Sequence, residues 1–207
     1  EVLLVGGVVL PDGSVKMIPM HWIEGTYVDE IPPGDYSLQL LDVSGNLVDE
    51  VHFNPLNTIF TQTDPPEAIE TDWGAFIMSI PYYEGVQELR ISANEETILD
   101  TNVTSQLLHD AIDAIPQAGF IDDPDSRRDA LHAEADAIES SIEIGDVSDA
   151  ASLLEYGFRP KIVDWLLDDY ETASALEYSK QMVLDLVDRL ISRLVTRKLY
   201  LPLVIRE

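Results

Sequence analysis

The chain of 207 residues contains no cysteine. This absence excludes disulfide scaffolds, thiolate zinc sites and cysteine nucleophiles. No stretch approaches the roughly 18 continuous apolar residues of a transmembrane helix, and the chain does not open with a signal-peptide pattern. Apolar residues make up 45% of the sequence, and we expect a soluble globular protein without a membrane span. A length of 207 residues allows one large domain or two smaller ones, and the change of hydrophobic period described below favours two.

Basic residues are also scarce. Twelve Lys and Arg residues stand against 39 Asp and Glu residues, giving a formal net charge of −27. Residues 1–179 hold 36 acidic and 6 basic residues, whereas residues 180–207 hold 3 acidic and 6 basic residues. The acidic surface predicts no nucleic-acid partner. Solubility, adaptation to salt or heat, calcium binding and a cationic partner all remain open as its explanation.

The first half of the sequence has the two-residue hydrophobic alternation of β-strands. Turn-forming residues separate the segments, and the clearest hairpin joins 36–41 to 47–53 through Asp42-Val43-Ser44-Gly45-Asn46. The pattern predicts strands at 2–10, 15–20, 36–41, 47–53, 58–62, 73–80, 86–93 and 97–101. Short strands at this spacing are typical of a sandwich, so we predict an immunoglobulin-like β-sandwich over residues 1–103.

The hydrophobic period becomes helical near residues 102–105. Asp123 followed by Pro124 predicts one helix start, Asp146 predicts another, and Gly145 ends the helix between them. The periodicity predicts helices at 105–115, at 124–144, at 146–165 as a single kinked helix, and at 172–197. We therefore predict an all-β domain followed by an all-α domain, the latter an antiparallel four-helix bundle over residues 104–198.

The last nine residues return to an alternating pattern, which predicts an extended C-terminal tail over 199–207. This tail would pack on the bundle, return to an edge of the sandwich, or pair with another molecule. Basic residues precede it on the last helix. The candidate interaction residues are Leu199, Leu201, Leu203 and Ile205 in the tail, with Arg189, Arg193, Arg197 and Lys198 before it.

Two family resemblances follow from these segments. Residues 7–15 (GVVLPDGSV, one residue shorter before the turn than the family pattern), 32–46 (PPGDYSLQLLDVSGN) and 76–82 (FIMSIPY) resemble immunoglobulin-like modules of secreted peptidases and cell-surface proteins. Residues 117–131 (QAGFIDDPDSRRDAL) and 142–154 (IEIGDVSDAASLL) are similar to the FIMAH helical module of secreted bacterial and archaeal hydrolases. The resemblances imply an accessory, non-catalytic module and supply no active-site residue.

The histidines offer candidate metal ligands in two pairs. His109 with Asp113, and His132 with Asp136, are each spaced by one helical turn. Neither pair includes the third ligand that a zinc site requires, and the sequence lacks the H-E-x-x-H motif. We therefore predict that both pairs lie on solvated helix faces.

Three other groups of residues are candidate binding or modification sites. Asp122, Asp123 and Asp125 offer oxygens to calcium, the one cofactor considered, although a helix cap explains the same residues. Asn102 begins an N-x-T glycosylation triplet. Exposed aromatic rings would stack on sugars, but aromatic residues in alternating strands also serve as core. The candidate glycan-stacking residues are Trp22, Trp73, Tyr82 and Tyr83.

No motif indicates catalysis. The sequence lacks G-x-S-x-G, and 39 acidic residues make chance carboxylate pairs inevitable. We therefore expect no enzyme. The predicted function is that of a secreted or cell-surface interaction protein, with other copies of itself or surface proteins as partners, assembling through its C-terminal strand. The alternative is an accessory carbohydrate-binding module of a secreted hydrolase.

Overall fold

A computed structural model describes residues 2–23, 33–60, 62, 65–83, 85–170 and 177–200, with the side chains of 196–200 excepted. The chain divides into two compact units, Glu1–Val103 and Thr104–Glu207. The described strands lie in the first unit and the helices in the second, with the first helix beginning at Val103.

The first unit contains nine strands within the described residues. They are β1 (Val2–Val9), β2 (Val15–Met17), β3 (His21–Ile23), β4 (Tyr36–Asp42), β5 (Leu47–Phe53), β6 (Leu56–Phe60), β7 (Ala68–Pro81), β8 (Val86–Ala93) and β9 (Glu96–Asn102). All pairings are antiparallel. Sheet A has the order β2-β1-β7-β6, with β3 also paired to β1, and sheet B has the order β5-β4-β8-β9.

The core of this unit comes from one face of each sheet. Leu3, Val5 and Ile80 in sheet A and Leu89 and Ile91 in sheet B are at most 1% exposed. In the second half of β7, residues 74–81, buried side chains alternate with more exposed ones, as the side-chain period of two requires, whereas β1 is buried along most of its length. Phe53 of β5 and Phe76 of β7 meet with ring centres 4.9 Å apart, so the two buried faces contact each other.

The predicted hairpin between β4 and β5 is confirmed. Asp42 Oδ1 accepts hydrogen bonds from the backbone N–H groups of Ser44 (2.7 Å) and Asn46 (2.9 Å), which closes the turn. Gly45 has φ +74°, a left-handed conformation that glycine adopts without a steric penalty.

The second unit is helical. Its elements are α1 (Val103–Asp113), a 3₁₀ turn (Gln117–Gly119), α2 (Pro124–Glu143), α3 (Val147–Ser152), a π-helical segment (Leu153–Phe158), α4 (Arg159–Trp165) and α5 (Lys180–Tyr200). Its core includes Leu108, Ile112, Leu131, Ile138, Leu154, Phe158, Ile162, Val183 and Val187, all 0% exposed.

The predicted helix starts in this unit are confirmed. Asp123 is the N-cap of α2, where its side chain accepts from the Ser126 N–H, and Pro124 is the first helical residue. Asp146 caps α3 by accepting from the Asp149 N–H at 2.9 Å. Gly145, with φ +80°, follows the end of α2, as a C-terminal glycine does.

The segment predicted as one kinked helix is helical throughout 147–165, and its irregularity is the π segment before Pro160. The Arg159 N–H donates to the Leu154 carbonyl five residues earlier. A proline has no N–H and clashes with the carbonyl four residues before it, so a widened turn here avoids the clash.

The predicted fold class is wrong. The molecule is a mixed α and β structure with two antiparallel sheets, and not an all-β immunoglobulin-like sandwich followed by an all-α four-helix bundle. The helical unit does not consist of four regular helices, because a 3₁₀ turn precedes α2 and a π segment separates α3 from α4. Residues 177–179, predicted as helix, lie before α5, where the Ser179 Oγ accepts from the Met182 N–H.

The prediction of an extended C-terminal strand from residue 199 is also wrong for its first two residues. Leu199 and Tyr200 belong to α5, because a helix that has already formed gains one hydrogen bond for each added residue. Leu201, Leu203 and Ile205 lie outside the described residues. None of the helices described combines the length and the apolar character needed to cross a lipid bilayer.

Candidate functional site

An apolar surface covers the outer face of sheet A. Leu4, Val8, Ala75 and Ile77 alternate with the buried residues of β1 and β7, so their side chains lie on the face opposite the core. A groove of about 860 Å³ is lined by residues of this face together with the buried Phe53, Phe76 and Met78. We call this surface the apolar face; its residues are Leu4, Val8, Ile18, Leu56, Ala75 and Ile77.

Gly6 shapes the middle of the apolar face. A Cβ atom at Gly6 would lie 2.7 Å from Ile18 Cδ1, so a side chain here would displace Ile18. The Ile18 N–H donates to the Gly6 carbonyl at 3.0 Å, which holds Ile18 beside β1. Ile77, opposite Gly6 in the register, is 64% exposed. The face is therefore apolar and open to water.

Strand β6 forms the edge of sheet A beside this face. Its partner is β7, and no strand among the described residues pairs with its other side. All five of its residues are exposed, with Leu56 at 75% and Phe60 at 69%. Edge strands are usually protected by charges, prolines or bulges against pairing with another chain. The β6 sequence, Leu-Asn-Thr-Ile-Phe, contains no charged residue and no proline, although its pairing with β7 is irregular between Leu56 and Thr58.

The structure brings together only two of the four predicted sugar-stacking residues. Trp22 contacts Tyr82 edge to face, with ring centres 4.9 Å apart, and Tyr82 is 6% exposed. Trp73 is half-buried on β7, and Tyr83 is exposed. Sugar stacking needs open ring faces, which the buried Tyr82 does not offer. Carbohydrate binding stays a prediction.

The three calcium candidates have separate roles. Asp122 forms an ion pair with Arg127, and Asp123 caps α2. Asp125 Oδ1 accepts from Gln117 Nε2 at 3.5 Å. No group of metal-ligand atoms among the described residues includes these aspartates.

The remaining predicted sites within the described residues lie on β9 and α5. Asn102, the glycosylation candidate, is half-buried as the last residue of β9 and lies opposite Glu88. Arg193 is half-buried on α5. Arg197 belongs to the same helix, but its side chain lies outside the described residues.

A polar cluster that the sequence pattern did not predict joins α1 to α2. His109 on α1 contacts Asp136 on α2, with His109 Nε2 3.2 Å from Asp136 Oδ1. His132 on α2 contacts Asp113 on α1, with His132 Nε2 3.0 Å from Asp113 Oδ1. Each histidine therefore pairs with the acidic residue of the other helix, and not with the one a turn away on its own helix. The two predicted pairs form one cluster.

The two histidines also contact each other. Their Nδ1 atoms are 2.6 Å apart, their ring centres are 4.9 Å apart and their planes differ by 13°. Because the ring centres are much farther apart than the nitrogens, the rings meet edge to edge. One Nδ1 carries a proton and donates it to the other, which is unprotonated.

Glu139 completes the cluster on α2. Its Oε2 accepts a hydrogen bond from the Ser105 hydroxyl at 2.9 Å. Ligand atoms of His109, Asp136 and Glu139 all lie within 4.8 Å of one another. No other part of the described chain gathers three such atoms so closely. The signal available in the sequence was the pair of stripes 105, 109, 113 and 132, 136, 139, each with the spacing of one helix face.

No family model, no curated protein and no solved structure matches this chain. The resemblances to immunoglobulin-like and FIMAH modules therefore stay predictions.

Proposed function

We propose that the protein is a non-catalytic interaction protein that joins other copies of itself, with β6 and the apolar face as the receiving surface. The observation that carries this proposal is an uncharged edge strand, exposed along its whole length, beside an open apolar groove. Such a surface is costly to leave in water and is typical of a binding site.

The occupant in this proposal is the segment 201–205 of a second copy. Its sequence, Leu-Pro-Leu-Val-Ile, is apolar and has five residues, as β6 does. A strand added to the free edge of β6 would gain backbone hydrogen bonds. Its side chains would reach the groove only beside Leu56, because Leu56 lies opposite Ala75 and the rest of β6 pairs with residues 68–70. Pro202 fits an edge position whose missing N–H would face away from β6.

Charge supports the same pairing. Residues 1–103 carry 18 acidic and 2 basic residues, whereas residues 180–207 have an excess of three positive charges. The approach of the basic segment of one copy to the acidic first unit of another is therefore electrostatically favoured. The resemblance to modules of secreted proteins supports an extracellular or cell-surface setting for this assembly.

Sedimentation velocity over a range of protein concentrations tests the proposal. We expect the wild-type chain to associate, and both deletion of 201–207 and Phe60→Lys to shift it to monomer. The lysine would place a charge on the strand edge, which opposes pairing. Ile144→Lys is the matched control: Ile144 is 81% exposed in the helical unit, and this variant should associate like the wild type.

Circular dichroism of each variant establishes that it is folded before its mass is compared. A wild-type chain that stays monomeric at every concentration would refute the proposal. So would an oligomer that survives the deletion of 201–207.

A further inference from the structure

We propose that His109, Asp136 and Glu139 form a binding site for one divalent transition-metal ion of the Zn²⁺ class. This inference goes beyond the proposed function and does not rest on it. It rests on one nitrogen and two carboxylate ligands that come from two helices and lie within 4.8 Å of one another.

The distance between His109 and Asp136 suits such an ion. Zinc lies about 2.0–2.1 Å from a histidine nitrogen and about 2.0–2.2 Å from a carboxylate oxygen. Two ligands of one ion are then about 3.0–3.4 Å apart, depending on the coordination angle. His109 Nε2 and Asp136 Oδ1 are 3.2 Å apart. An ion between them would replace their direct contact, and the Glu139 side chain, whose ligand oxygen lies within 4.8 Å of both, would move in to complete the site.

The second ring nitrogen of His109 is already held as a metal ligand requires. Histidine ligands usually donate their other N–H to a polar partner, which fixes the ring and its tautomer. Here that partner is His132 Nδ1, at 2.6 Å, and His132 is itself held by Asp113. With the proton on His109 Nδ1, its Nε2 lone pair would point to the ion. Both rings are then neutral, and the metal takes the place of the Nε2 proton.

Glu139 is oriented in a similar way. The Ser105 hydroxyl, on a residue only 3% exposed, donates to Glu139 Oε2. A carboxylate has two oxygens that accept several bonds, so this contact positions Glu139 and leaves it able to bind a metal.

The ligand set selects the class of ion. Calcium and magnesium prefer ligands that are all oxygen, whereas imidazole favours zinc and its first-row neighbours. Three protein ligands leave a further position for water, as in open zinc sites. The Asp136 side chain is 69% exposed and that of His109 is 25% exposed, so water and the ion both reach the site from one side.

Isothermal titration of the metal-free, full-length protein with Zn²⁺ tests the site. An excess of Mg²⁺ in the buffer occupies the many surface carboxylates without competing for imidazole. We expect one Zn²⁺ per chain, and an affinity at least about tenfold lower in His109→Ala and in the double variant Asp136→Asn with Glu139→Gln.

Two further variants separate ligands from background. His52→Ala removes an exposed histidine of the first unit and should bind Zn²⁺ like the wild type. Asp113→Asn removes no proposed ligand, but it weakens the support of His132 and so of His109; we expect an affinity about tenfold lower. A separate readout is the unfolding temperature of the wild type, which should rise with Zn²⁺ and return with a chelator.

The proposal is overturned if the wild type shows no saturable Zn²⁺ binding above the Mg²⁺ background. It is overturned equally if His109→Ala, shown to be folded by circular dichroism, binds Zn²⁺ as tightly as the wild type. In both cases the cluster would serve only as a hydrogen-bonded contact between α1 and α2.

Discussion

At the scale of single residues, two tyrosines in the helical unit have the most perturbed environments. The Tyr170 hydroxyl donates to the Tyr178 carbonyl at 2.7 Å, and the Tyr170 ring packs so closely on Gly119 that a Cβ there would lie 2.9 Å from it. Burial raises the pKa of Tyr170 to about 12. Burial, with a smaller effect of the Asp110 charge, raises the pKa of Tyr178 to about 12.

These pKa values predict a loss of stability in alkali. An unfolded tyrosine ionises near pH 10, so the folded state holds its proton more tightly than the unfolded state does. The two tyrosine protons therefore contribute their full stabilisation below pH 10, and this contribution is lost as the pH rises toward about 12. Denaturant unfolding at a series of pH values should show this fall, and Tyr170→Phe should reduce it.

Tyr156→Phe is the control for that experiment. Tyr156 is 74% exposed, so its hydroxyl meets water in the folded and unfolded states alike, and the variant should keep the wild-type pH dependence. Equal slopes for the wild type and Tyr170→Phe would show that the Tyr170 proton does not stabilise the fold.

At the scale of elements, the π segment contains two aromatic residues, two positions apart, whose side chains differ sharply in exposure. Phe158 is 0% exposed and among the largest fully buried side chains, whereas Tyr156 points into water. Residues two positions apart lie on opposite sides of a helical segment, so one ring lies in the core and the other outside it.

This contrast predicts very different costs of truncation. Phe158→Ala should lower the free energy of unfolding by about 3–5 kcal/mol, because it removes buried apolar surface and leaves a cavity. Tyr156→Ala should change it by no more than about 0.5 kcal/mol. Urea unfolding of the wild type and the two variants measures both changes in the free energy of unfolding. Similar changes in the two variants would contradict the assigned burial.

Local patterns in the sequence predict elements better than their assembly. Proline, glycine and aspartate determine local geometry, which is why the caps at Asp123 and Asp146 and the turn at Gly45 were predicted. The three-residue strand β3 is too short to show a period. The end of α5 was missed because helix continuation outweighs four alternating residues. The prediction of a four-helix bundle was wrong because the hydrophobic period alone does not reveal the π and 3₁₀ interruptions or how the helices pack.

The polar cluster was missed for a related reason. His109 with Asp113 looks like a solvated pair on its own helix, and so does His132 with Asp136. Only the packing of α1 against α2 decides that the bonds cross between the helices. Pairing that depends on the register of two helices is not encoded in the spacing within either one.

At the scale of the whole molecule, negative charge far exceeds what ion pairs neutralise. Even if every one of the 12 basic residues were paired, 27 acidic residues would remain. Repulsion among like charges in a compact state opposes folding, and dissolved salt screens it.

We therefore predict that the unfolding temperature rises with NaCl concentration. Surface ion pairs, which salt weakens, contribute little each and cannot reverse this trend. Differential scanning calorimetry from low to moderate ionic strength measures the shift, with KCl as a control for specific sodium binding. A constant or falling unfolding temperature would show that charge repulsion does not limit stability.

The pairing of β1 with β7 sets the timing of folding during biosynthesis. Val2 to Val9 find their long partner only in residues 74–81, so most of the first unit must leave the ribosome before sheet A can close. At roughly 5–20 residues per second, the ribosome needs several seconds to reach β7. For that interval the apolar β1 has only the short strands β2 and β3 of the described residues to pair with, so its apolar surface stays in contact with water until β7 emerges.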